Sequence, residues 1–145
     1  MFRSILSALA LVTVAATAQA QRPTHIAPAP ETDRWLRVAS SDDGTSVWYI
    51  DMQTATLKGE MLSAWVKVEF TKPQTTSLGR DYTVRLTQTL FDCSDRTSRD
   101  GQWLTQTASG AVARTGDFTG LAPWESAPPG TVWEGVMAAV CGRRK

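Results

Sequence analysis

The sequence predicts an α+β domain, mainly β: an antiparallel sheet of about five or six strands, one C-terminal helix packed on it, and one disulfide. Three observations carry this expectation. Apolar and polar residues alternate through much of the stretch 35–114, the period-two pattern of half-buried strands. The period then changes to that of a helix over residues 131–142. There are two cysteines, Cys93 and Cys141, an even pair.

The first segment is not part of the domain. Arg3 gives a short positive start, residues 5–16 (ILSALALVTVAA) are uncharged and apolar, and Ala18 and Ala20 supply small residues at a cleavage point. This is the three-part pattern of an export signal, removed after Ala20. The apolar run is too short for a bilayer of about 30 Å, which takes roughly 20 residues. Residues 21–33 (QRPTHIAPAPETD) carry three prolines and few large apolar groups, so they read as a flexible leader. Residues 34–145 form a single β-rich domain.

Within it, residues 35–40 (WLRVAS) and 47–51 (VWYID) read as a hairpin around the turn 41–45 (SDDGT), where Asp-Gly accepts positive φ. Residues 62–71 (LSAWVKVEFT) place Leu62, Ala64, Val66, Val68 and Phe70 on one face, with Ser63, Trp65, Lys67 and Glu69 on the other. Residues 82–91 (YTVRLTQTLF) set Tyr82, Val84, Leu86 and Leu90 against Thr83, Arg85, Thr87 and Thr89. The link 72–81 is polar, with Pro73 and Gly79. Residues 103–108 and 111–114 continue as a weaker pair or one bent strand, and 116–129 is a loop with room for a short strand. Thr131 is the expected N-cap, with Glu134 at capping-box spacing. Val132, Trp133, Val136, Met137 and Val140 then share one helical face, and Gly142 ends the helix.

Cys93 and Cys141 are expected to pair once the chain reaches an oxidising compartment. Closing the loop between them contributes about 4 kcal/mol in the chain-entropy description. The competing readings are a reactive thiol and a metal site, and two cysteines with one distant histidine cannot close a tetrahedral zinc shell.

Composition excludes more than it selects. Without Arg3, basic and acidic residues are equal in number, so nothing steers the chain toward nucleic acid or anionic lipid. His25 is the single histidine and lies in the leader, which leaves Ser-His or Cys-His nucleophilic catalysis without its base. No metal or cofactor motif is present. Asp51, Glu60, Asp92 and Asp100 are carboxylates that a hydrolase would need in a pair, and no spacing singles out two of them. Asp42 and Asp43 read as turn residues. Tryptophan is abundant: Trp35, Trp48, Trp65, Trp103, Trp124 and Trp133. Most suit a core, but Trp65 shares its strand face with Lys67 and Glu69, which makes it the candidate exposed contact.

The order of features resembles the surface-adhesin E family of small exported bacterial proteins. The resemblance rests on WLRVAS, DDGTSVWYID, AWVKVEFTKPQ, YTVRLTQTLFDC and VWEGVMAAVC, from Trp35 to Cys141. It implies a sheet with a packed helix and a disulfide, and a role in binding host matrix proteins. The chain lacks the lipid-bearing cysteine of the best-known kind of member. The expected function is therefore a non-catalytic, adhesin-like module in the periplasm or at the cell surface, contacting a host matrix or envelope protein. The alternatives are an accessory periplasmic protein, self-associating or with an unidentified partner, and a carboxylate-based hydrolase.

Overall fold

The computed structural model describes residues 34–142; the expected export signal, the leader with His25, and residues 143–145 lie outside the described residues. Within them the order is β1 (Trp35–Ser40), β2 (Ser46–Asp51), β3 (Thr56–Lys58), β4 (Met61–Thr75), β5 (Asp81–Asp92), β6 (Thr97–Gln106), β7 (Val112–Asp117), β8 (Glu125–Ser126) and α1 (Val132–Cys141). One antiparallel sheet runs β1-β2-β4-β5-β6-β7, with β3 added to β4 and β8 added to β6. The expected sheet-and-helix architecture is present. The two short strands complete it, and β3 falls on a stretch the sequence did not mark.

Turn chemistry sets the first hairpin. Gly44 has φ +67°, and Asp43 Oδ1 accepts from the Thr45 amide at 2.9 Å and its hydroxyl at 2.7 Å. Bonds from the Ser41 hydroxyl and then from Thr45 hold the Asp43 carboxyl down at about 2. Two strands are longer than their sequence suggests, because bulges absorb the residues that should break them. The β4–β5 register shifts between Glu69 and Gln74, so Pro73 sits where no ladder donor is needed and β4 runs on to Thr75. In β6 the register shifts opposite Thr87 and Thr89, and the strand begins at Thr97 rather than near Trp103.

The helix caps as its sequence indicates at one end only. The Glu134 amide donates to Thr131 Oγ1 at 3.3 Å, and Glu134 Oε2 accepts from the Gly130 amide at 2.8 Å. At the other end Gly142 stays right-handed, at φ −71°, and its amide returns to the Ala138 carbonyl. The helix therefore stops without a left-handed glycine cap.

Val136, Met137 and Val140 of α1 lie on Ile50, Ala64, Val66 and Phe91, and these form the buried core. Each large apolar side chain buried this way contributes about 1.5–3 kcal/mol. Cys93, just past β5, bonds to Cys141 at the end of α1, with an S–S distance of 2.02 Å and a separation of 48 residues. The bond fastens the helix to the sheet that it covers.

Register decides which face of β5 lies inward. Leu62 pairs with Phe91, Ala64 with Thr89, and Val66 with Thr87. Paired residues in an antiparallel ladder point the same way, so the polar set of β5 lies on the helix side. Thr89 and Thr87 are buried there. Val84, Leu86 and Leu90 point to the opposite face, beside Glu69, Lys67 and Ser63. Polar spacing along β5 alone would have assigned its faces the other way.

Candidate functional site

The first candidate surface is the sheet face that α1 does not cover. Strand alternation brings Trp35, Tyr49, Trp65, Lys67, Leu86 and Leu104 together there. Trp65 is half-buried. It lines a shallow groove with Gln102, Leu104, Thr115 and Asp117. Lys67 joins the aromatic residues: its Nζ stands 4.9 Å from the Trp35 ring centre and 4.6 Å from that of Tyr49. The same ammonium pairs with Glu69 at 2.7 Å, and 18% of its side chain remains exposed. Cation–π attraction strengthens when the cation is partly desolvated like this. Burial, followed by the Glu69 charge and hydrogen bond, raises the Tyr49 pKa, so the phenol stays neutral. On the rim, hydrogen bonds from the Thr119 side chain and backbone lower the Asp117 pKa.

The second candidate is a cleft on the helix side, where α1 leaves part of the sheet open. It has a volume of about 310 Å³. Val66, Val68 and Phe70 contribute its apolar lining from β4, Trp48 and Trp133 flank it, and Ala122, Pro123 and Glu125 border it. The two indoles meet edge to face at 5.6 Å. Trp48 donates to Ser46 Oγ at 3.1 Å and Trp133 donates to Ser98 Oγ at 2.9 Å. Arg85 and Asp100 supply the charge: Asp100 Oδ1 accepts from the Thr89 hydroxyl at 3.2 Å, and Arg85 Nε donates to Thr87 Oγ1 at 3.3 Å. The Arg85 guanidinium and Asp100 carboxylate are 3.7 Å apart.

The four carboxylates considered from sequence do not meet in the cleft. Asp100 lies in it without the other three. Asp51 is fully buried at the end of β2 and takes bonds from Arg34 and from the amides of Gln53 and Thr54. Asp92 accepts from Ser94 and Asp95 in the turn after β5, and Glu60 stands in the β3–β4 turn. Among the described residues, no group of three or more His, Cys, Asp or Glu side chains could hold a metal ion.

Sequence reasoning did not single out Arg85 as a cleft residue. The signal was the β4–β5 register, which turns Arg85, Thr87 and Thr89 to the side flanked by Trp48 and Trp133, and a single strand does not reveal its partner's register. Among the described residues, no helix is long and apolar enough to cross a membrane.

A family model described as surface-adhesin protein E matches residues 35–142. Comparison with curated proteins gives no match.

Proposed function

Because the chain belongs to the surface-adhesin protein E family, we propose that it is an exported, non-catalytic binding module of the bacterial envelope. Its partner is a protein, from the host matrix or from the envelope itself, and it docks on the uncovered sheet face. The observation that carries this reading is the cluster of half-exposed Trp35, Tyr49, Trp65, Leu86 and Leu104 beside Lys67, Glu69 and Asp117. Aromatic centres with a polar rim are the usual anatomy of a protein-binding patch. The strands beneath hold the side chains in place before binding, which lowers the cost of ordering them. Export is supported by the n-region, apolar run and Ala18–Ala20 pattern, and the mature chain then begins at Gln21, in the periplasm or at the surface.

The test combines location and binding. Protease shaving of intact cells removes a surface protein and spares a periplasmic one, which selects the partner pool to screen. In surface plasmon resonance against immobilised matrix proteins or purified envelope proteins, wild type is expected to bind saturably. Trp65→Ala is expected to weaken binding by roughly tenfold or more, with its melting curve kept. Absence of saturable binding in both pools, or full affinity in Trp65→Ala, would remove the support for this face.

A further inference from the structure

We propose that the helix-side cleft is a second binding site, for a neutral sugar of one or two rings, separate from the protein-docking face. Its volume of about 310 Å³ lies at the low end of small-molecule sites, about 300–1,000 Å³. The lining then narrows the ligand class.

Charges of both signs face the cleft. Arg85 stands beside Asp100 and Glu125 borders them, so a net anion meets two carboxylates and a net cation meets the Arg85 guanidinium. Like-charge juxtaposition of this kind rejects charged ligands. A purely apolar ligand would instead strand the Arg85 and Asp100 groups without water, a costly loss for charged hydrogen-bonding groups. A sugar hydroxyl both donates and accepts. Neighbouring hydroxyls on one ring therefore match a guanidinium and a carboxylate side by side, and Arg85 and Asp100 stand 3.7 Å apart. That spacing is too long for a strong direct bond, which leaves donors and acceptors for a ligand.

The C–H surface of a sugar ring needs apolar contact, and the half-buried Trp48, Phe70 and Trp133 supply it. Both indole N–H groups are already bonded, to Ser46 and Ser98, so the aromatic walls are fixed by the fold. The site is built before any ligand arrives.

The experiment titrates the full-length mature protein with glucose, galactose, N-acetylglucosamine, maltose and lactose, by calorimetry and by tryptophan emission. At least one sugar is expected to bind saturably and to shift the emission. Asp100→Asn is expected to weaken that sugar roughly tenfold. Glu125→Gln, on the exposed β8, is expected to weaken it less. If Asp100→Asn loses cooperative melting, Glu125→Gln carries the test. No saturable binding by any of the five sugars, or undiminished binding in the folded variants, would overturn the proposal. Protein docking by the opposite face is read separately, so either proposal can fail alone.

Discussion

Gly116 lies against the indole of Trp103, so close that a β-carbon there would stand 2.5 Å from Cε2 and 2.6 Å from Nε1. The two residues pair across β6 and β7, and Trp103 stacks on Phe118 at 6.1 Å while Arg85 and Arg114 approach its ring. Displacing the indole therefore disturbs several contacts. Gly116→Ala is expected to lower stability by about 1–3 kcal/mol. In a Trp103→Leu background the same substitution should cost much less. Urea melts of the four proteins check this, and an equal penalty in both backgrounds would mean that the β-carbon meets something else.

A buried charge makes the second prediction. Asp51 is fully buried, and Arg34 donates to its Oδ2 at 2.6 Å. Burial alone would raise its pKa, but the Arg34 bond, the bonds from Thr54 and Gln53, and the Arg34 charge together lower it. A carboxyl whose folded pKa is depressed stabilises the fold above its unfolded pKa. That contribution is lost as pH falls from about 4 down through the folded value. Asp51→Asn should cost about 1–3 kcal/mol at neutral pH and flatten the acid limb of stability against pH. Denaturant melts across that range measure both effects.

The two faces of β5 respond differently to truncation. Phe91 is wholly buried under Trp133 and the helix, whereas Leu90 points to the uncovered face. Phe91→Ala is expected to cost about 3–5 kcal/mol, and Leu90→Ala about 1 kcal/mol. Thermal melts of the two variants compare them directly, and equal losses would contradict the register.

Removing the disulfide should be costly. Cys93→Ser is expected to lower stability by about 2–5 kcal/mol. Reductant should lower the melting temperature of wild type and leave that of Cys93→Ser unchanged.

Much of this structure was legible in residue order. Alternation over residues 62–70 placed Trp65 with Lys67 and Glu69, and the Thr131–Glu134 spacing marked the helix start. The cysteine pair followed from number and compartment. What could not be read was relational. Pro73 looked like a strand end, because a bulge that tolerates it is visible only when two strands are aligned. Thr87 and Thr89 looked solvent-facing, because their burial depends on sitting opposite Val66 and Ala64. The cleft needs four separate elements at once: Trp48 on β2, Arg85 on β5, Asp100 on β6 and Trp133 on α1. No local pattern within any one of them records the others.

The helix that covers Ile50, Val66 and Phe91 comes after every strand in the chain. Until residues 132–141 dock, a formed sheet presents those side chains to water. A partly folded chain at that stage is sticky, and folding that waits on such distant contacts is slow. The protein therefore passes through a vulnerable interval between sheet formation and helix docking. In that interval a holding chaperone would find its apolar target on the face that the finished molecule hides.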